Sequence, residues 1–420
     1  MSTSPSAPAS PDIRDGDGAR ASRLLTVAVL SVSSLTVLAN ATIAPSLPGL
    51  ARAFSTTPGI ETLAGLVLSL PSLAIVLTAV LVGLAADRFD RRAVLVGAMI
   101  AYALGGASGA FAQTLPQLLL GRLLLGVGVA GTLTVATKLA ADHWHGADRA
   151  RFMGWQGAAI SATGVASVVL GGLLAELSWR APFLIYLAAL PLAILAWVAI
   201  PSRKRSARAR NQAGGPAEPS NDAARQDQPF PWATLALTGG IMSGVMVFIF
   251  LVATRLPFLL GEIGVRSPGL IGLTLGLMTA ASFPTGLFYG RVRTRFEPRA
   301  IAVLALALMG TGFAVISQAH ALPAAVIGII ATGLGLGLII PNQNVWLMAH
   351  AREAARGRAA GMMTMLLFAG QFVSPLVSGG LLTAMSLHAV FLAFALAAFA
   401  GAGLLWGTGR HRPDRERLAA

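Results

Sequence analysis

The chain of 420 residues contains no cysteine, which excludes a disulfide framework, thiol catalysis and any cysteine-based metal site. Charge is also scarce. Only 11% of residues are Asp, Glu, Lys or Arg, against about 25% in an ordinary soluble domain. Acids are the rarer sign, 17 against 31 Lys and Arg, and none falls in the middle of an apolar run; Glu61, Asp142, Glu176 and Glu262 all lie near run ends. The six His residues show no ligand spacing, and no nucleophile, base or metal constellation falls within the runs, so the chain is not read as an enzyme.

In place of these, the sequence has lipid-soluble length. Hydrophobic residues make up 55% of it and the mean hydropathy is +0.72. Apolar runs of about 20 residues, each long enough to cross a hydrocarbon core of roughly 30 Å, recur along almost the whole chain. The runs place spans at 24–47, 61–85, 93–112, 116–140, 152–175 and 181–200, then at 232–256, 268–290, 299–318, 322–347, 358–384 and 387–408. The expected fold is all-α and integral to the membrane, with twelve transmembrane helices in two six-helix bundles, 24–200 and 232–408. The stretch 201–231 carries Arg203, Lys204, Arg205, Arg208 and Arg210 among small polar residues and Pro, a composition that buries no core and reads as a linker. Residues 1–23 and 409–420 read as tails, the first uncleaved because the apolar run after it is too long for a signal-peptide core.

The formal net charge is +14, but the cations sit in short segments between runs and not along one helix face, so the pattern indicates topology and no nucleic-acid partner. With an even number of spans, 25 of the 31 Lys and Arg fall in the tails and the loops on the tails' side, while the opposite loops hold only Arg52, Arg180 and Arg266. Both tails, and the linker, are therefore expected in the cytoplasm of a multi-pass inner-membrane protein.

The halves echo each other. Pro45-Ser46-Leu47-Pro48 ends span 1 and Thr254-Arg255-Leu256-Pro257 takes the same place in span 7; Gly83 to Arg92 after span 2 is matched by Gly286 to Arg295 after span 8, with Gly290 in place of Asp87. Repeated halves are how many transporters alternate access around a site near the midplane.

The loop Gly83-Leu84-Ala85-Ala86-Asp87-Arg88-Phe89-Asp90-Arg91-Arg92 resembles the Gly-x-x-x-Asp-Arg-x-Gly-Arg-Arg motif of the major facilitator superfamily, and the resemblance extends over nearly the whole chain. It implies a conformational latch of Gly83, Asp87, Arg88, Arg91 and Arg92, joined by Asp142, with Asp87 meeting the start of span 11 near Gly357. Asp90 replaces the motif's second Gly, which alters the turn and adds a negative charge. Arg122-Leu123-Leu124-Leu125-Gly126-Val127-Gly128 is similar to the family's Arg-x-x-x-Gly-x-Gly element in span 4. In span 5, Gly164 to Gly172 keeps only the final glycines of the antiporter element Gly-x-x-x-Gly-Pro-x-x-Gly-Gly, with Ser167 and Val168 at its Gly-Pro.

A cation within a membrane is a functional hypothesis by default. Arg122 and Asn40 each lie about seven residues from the tail-remote ends of their spans and so at one level; both are assigned to a central cavity for substrate or coupling, with satisfaction of backbone carbonyls as the structural alternative for Arg122. Arg255 and Gln371 complete the set, Arg255 having Glu262 as an alternative partner. Lys138 lies about 160° round the helix from Arg122 and is expected to pair with Asp142 one turn on, Asp142 being also in reach of Arg91; Glu176 and Arg180 are expected to pair at the surface. Asn342 and Trp346 share a face near the tail side, for capping or a gate.

The resemblance is to drug and sugar efflux members, and it implies a monomeric secondary transporter that exports a small solute by proton-coupled antiport, with no cofactor beyond the proton gradient. With arginines and no mid-span acid, an anionic or zwitterionic solute fits the cavity. An organic-anion importer or exchanger, and a receptor that has lost transport, are the alternatives. Asp87→Asn is expected to slow conformational switching while leaving substrate affinity unchanged, which transport kinetics beside equilibrium binding would measure; wild-type flux in the variant would remove Asp87 from the mechanism.

Overall fold

The computed structural model describes residues 14–144, 146–200 and 230–410; the predicted tail before residue 14, nearly all of the linker and the last ten residues lie outside them. Among the described residues, twelve helices are long and apolar enough to cross a bilayer: Arg23–Ala53, Ile60–Arg88, Arg91–Phe111, Leu115–His143, Arg151–Leu177, Ala181–Ala199, Trp232–Glu262, Pro268–Arg293, Pro298–Ser317, Leu322–His350, Ala355–Leu382 and Leu387–Thr408. They are spans 1 to 12 below. The face where span 1 begins and span 12 ends is the terminal face, and the opposite one the distal face.

Helix is the only open structure that satisfies every backbone N–H and C=O inside lipid, and the described spans are helical throughout. Proline alters their course locally. Span 1 is helical to Ala41, passes a 3-10 turn at Ala44–Ser46 and resumes as Leu47–Ala53, so it ends later than the predicted residue 47. Pro45 and Pro48 remove two N–H donors there, while Thr42 Oγ1 donates to the Leu38 carbonyl at 2.6 Å and Ser46 Oγ to that of Ile43 at 2.8 Å. Span 7 runs through Pro257 to Glu262, beyond the predicted end at 256, because an interior proline in a packed membrane helix kinks it without ending it.

Spans 1–6 pack on one another, spans 7–12 do likewise, and across the seam between them span 2 lies against span 11 and span 5 against span 8. Lipid tails are as apolar as leucine, so close van der Waals approach at small residues, and not water exclusion, holds such helices together. The glycines show how close. A methyl added at Gly126 of span 4 would sit 2.4 Å from the Pro71 carbonyl oxygen of span 2, and one at Gly128 would sit 2.5 Å from the Tyr102 nitrogen of span 3. Span 10 repeats the arrangement. A methyl at Gly333 would sit 2.3 Å from the Met278 carbonyl oxygen of span 8, and one at Gly335 would sit 2.6 Å from the Ala305 carbonyl oxygen of span 9. The Gly-x-Gly of the Arg122 element is thus a packing device present in both halves, and the residue that corresponds to Arg122 in span 10 is the buried Ile329.

Gly128→Ala forces a methyl against backbone that cannot turn aside, an overpacking worth about 1–3 kcal/mol; Gly240→Ala faces open space and gains up to about 1 kcal/mol of helix propensity. Thermal unfolding in detergent should therefore show a lower midpoint for Gly128→Ala and an unchanged or higher one for Gly240→Ala, and the reverse order would contradict this packing.

Candidate functional site: a seam closed on the distal side

On the terminal face the motif loop is tied to span 4. Lys138 Nζ donates to Asp87 Oδ1 at 2.5 Å and to the Gly83 carbonyl at 3.0 Å, and Arg91 is paired with Asp142. Lys138 therefore bridges to span 2 and does not pair with Asp142 as predicted: its long side chain reaches across to the neighbouring helix, where a carboxylate and a helix-end carbonyl converge. Asp87 meets span 4 here, whereas the predicted contact near Gly357 is not formed at that residue, since a methyl at Gly357 would meet nothing within 4 Å. Arg88 is the last helical residue of span 2. Asp90 takes a role of its own, capping span 3 by accepting from the Arg92 amide at 3.1 Å, which a glycine could not do; Arg92 stacks over Trp197 of span 6 at 3.8 Å.

Arg122 is wholly buried. Its Nη2 donates to the Gly106 carbonyl at 2.9 Å and its Nη1 to Tyr186 Oη at 3.3 Å, and the guanidinium lies 4.7 Å from the ring centre of Phe183 and 5.0 Å from that of Tyr186. Tyr186 in turn donates to the Ala39 carbonyl at 3.0 Å. The shared level of Arg122 and span 1 near Asn40 is real, but the predicted cavity placement is not: the arginine is enclosed among spans 3, 4 and 6, held by aromatic faces and a backbone oxygen. Asn40 is half-buried, donates to the Thr36 carbonyl at 3.4 Å and leaves its own Oδ1 without a partner.

The other predicted cavity residues meet at the seam. Gln371 of span 11 accepts from Ser72 Oγ of span 2 at 2.7 Å and points its amide at Met246 Sδ, 3.6 Å away. Arg255 of span 7, also wholly buried, donates through Nε to Ser378 Oγ at 2.9 Å, through Nη2 to the Pro375 carbonyl at 3.2 Å, and through Nη1 to the Glu61 carbonyl of span 2 at 3.2 Å. It does not pair with Glu262, whose carboxylate lies 3.8 Å from His388. Neither does Glu176 pair with Arg180. Glu176 crosses the seam to span 8, accepting from Ser267 Oγ and, at 2.9 Å, from the Gly269 amide, where unsatisfied N–H groups of a helix start favour an anion; Arg180 donates to the Ala112 carbonyl at 3.1 Å.

These cross-seam bonds share a depth. Glu61, Ser267 and Gly269 begin their spans on the distal face, and Ser72 lies about 18 Å below the start of span 2, so the contacts run from mid-depth to the distal face. Glycine packing follows the same gradient. A methyl at Gly65 would sit 2.8 Å from Pro375 Cβ, one at Gly379 2.4 Å from the Thr62 side chain, and one at Gly172 2.6 Å from the Pro268 carbonyl oxygen. Toward the terminal face the same helices leave space: methyls at Gly154 and Gly157 of span 5, Gly290 of span 8, and Gly357 and Gly361 of span 11 would meet nothing within 4 Å. Two bundles that touch on one side of the membrane and part toward the other make an inverted V with its opening on the terminal face.

The family model that matches the chain is that of the Major Facilitator Superfamily, over residues 29–265 and 252–420. The chain belongs to this superfamily. Among curated relatives, the class B tetracycline resistance protein of Escherichia coli is 35% identical over 156 residues, 37% of this chain and 39% of that protein; matches to it and to its class C counterpart span only about two fifths of those proteins. The bacillibactin exporter of Bacillus subtilis (strain 168) is 24% identical over 383 residues, 89% of this chain and 92% of that protein. A solved structure described as the inward open conformation of the xylose transporter XylE from E. coli superposes with a TM-score of 0.73 at 13% identity, covering 93% of this chain and 97% of that one. The chain is thus a membrane transporter of efflux type with the twelve-helix fold of its superfamily.

Residues that the sequence did not single out are Ser72, Ser378, Ser267 and the Glu61 carbonyl. Small hydroxyls are common in membrane helices, and only their place opposite Gln371, Arg255 and Glu176 marks them. Tyr289 and Pro298 are the partners of Asn342, whose amide accepts from Tyr289 Oη at 3.3 Å and donates to the Pro298 carbonyl at 2.8 Å, so Asn342 ties spans 8, 9 and 10 together. The pairing of Lys138 is open to a double-mutant cycle of thermal unfolding. With side chains 28% and 60% exposed, Lys138→Met and Asp87→Asn should couple by about 0.2–1 kcal/mol, while Lys138→Met and Asp142→Asn should be additive; coupling to Asp142 alone would overturn the assignment.

Proposed function

We propose that the protein exports a small organic solute from the cytoplasm by alternating access, exchanging it for protons. The observation that carries this reading is the one-sided seam: bonds and glycine contacts from mid-depth to the distal face, and space between the same helices toward the terminal face. The arginine-rich loops make the terminal face cytoplasmic, so the conformation is open to the cell interior and receives solute there. Export as the direction is supported by the likeness to tetracycline resistance proteins and to a bacillibactin exporter.

The solute is an anion or zwitterion. No acid lies mid-span to hold a cation, and the seam carries a buried guanidinium, Arg255, bonded only to neutral oxygens. Proton exchange is carried by carboxylates at the span ends: Glu61 and Glu176 lie at the distal side, Asp87 and Asp142 at the terminal side, so each set faces one compartment.

Inside-out vesicles containing the purified protein should accumulate an anionic or zwitterionic solute when the lumen is made acid, and lose the accumulation when the pH gradient is collapsed. Gradient-driven uptake into right-side-out vesicles would make the protein an importer; accumulation of cations alone would overturn the charge argument; binding without flux would leave a receptor.

A further inference from the structure

The seam must close firmly enough to exclude solutes and yet reopen in every cycle, and Arg255 bears on the second requirement. The place it occupies does not need a cation. In the internal repeat the corresponding residue of span 1 is Ser46, buried, neutral and bonded to its own helix through the Ile43 carbonyl at 2.8 Å. At that position span 7 instead carries a fully buried guanidinium that is not paired with any carboxylate among the described residues.

Its three acceptors divide by state. Ser378 and Pro375 belong to span 11, which packs against span 7 within the same half, so those bonds persist whether the seam is open or shut. The Glu61 carbonyl belongs to the other half, and that bond exists only when the seam is shut. On opening, Arg255 loses one bond to a neutral oxygen and regains water around a charge. Removing an ion from water costs more than a single charge-assisted bond returns, so the residue favours the open distal side. The glycine contacts of Gly65, Gly379 and Gly172 and the Glu176 bonds to the start of span 8 favour the shut one.

We propose that Arg255 is the positioning residue that keeps the distal gate reopenable: a buried, unneutralised cation set against the close packing of the seam. The inference rests on the alternating-access reading but on no particular solute or direction. The Ser72–Gln371 bond at the base of the seam involves neutral groups only and carries no such penalty, so the effect is specific to Arg255.

The natural absence of cysteine allows a test with single reporter thiols. Thr62→Cys sits at the Gly379 contact on the distal side, and Gly357→Cys on the terminal side; each is labelled in membranes with a membrane-impermeant maleimide applied to the corresponding face. Replacing Arg255 by Met should slow distal labelling at Thr62→Cys about tenfold or more, the population change equivalent to 1.4 kcal/mol, with terminal labelling maintained. Arg255→Lys keeps the charge and should leave distal labelling at or above the parent rate. Arg255→Gln, neutral but polar, serves if the Met variant fails to insert, and should also slow it. Faster distal labelling in either neutral variant would make Arg255 a clamp and overturn the proposal. Unchanged labelling in both, or a slowing by Lys equal to that by Met, would overturn it too. Because no solute is present, failure of the export reading in vesicles leaves these outcomes independent.

Discussion

Between membrane helices the hydrophobic effect provides no net attraction, so whatever holds the two halves of this chain together must be contact between surfaces that fit and a few polar bonds that lipid cannot replace. Everything about the candidate site follows from where those contacts fall. Spans 2 and 11 meet at Gly65 with Pro375 and at Thr62 with Gly379; spans 5 and 8 meet at Gly172 with Pro268. All lie in the distal part of the bilayer. A seam that is tight at one end and slack at the other is a hinge in the physical sense, and rocking of the halves changes which compartment reaches the middle.

The charged residues divide between two tasks. Those of the terminal face, Asp87 with Lys138 and Arg91 with Asp142, join spans 2, 3 and 4 and stiffen the first half around the motif loop; being partly exposed, each pair contributes little to stability and more to the orientation of the loop. Those of the distal seam, Glu176 and Arg255, cross between halves. Arg122 does neither. It lies where the repeat has Ile329, wrapped by Phe183 and Tyr186, and ties the Gly106 carbonyl to Tyr186 and through it to span 1. Its effect on transport would pass through the rigidity of the first half.

The spans, their count and the basic side were legible because length, hydropathy and loop charge are properties of single segments. Boundaries differed where proline intervened, as at Pro48 and Pro257, since a packed membrane helix continues through a residue that would end one in water. The depth of a residue was legible also: Asn40, Arg122 and Tyr186 do lie at one level. Direction was not. Helical angle gives a residue's bearing relative to its own helix, but not which neighbour stands there, and Lys138, Arg255 and Glu176 each chose a partner on another span over the nearby opposite charge. Long side chains reach farther than one helical turn, and a helix start or a free carbonyl competes well with a solvated carboxylate.

The central claim is that the resting seam is shut on the distal side and open on the terminal side, and that the two sides move in opposition. Distances between paired spin labels measure it directly, one pair at Thr56 and Ser386 on the distal face and another at Met153 and Phe296 on the terminal face. The account predicts a short, narrow distal distribution and a long terminal one at rest, with the distal distance lengthening and the terminal one shortening together when a transported solute is added. A long distal distance at rest, or two distances that change in the same direction, would contradict it.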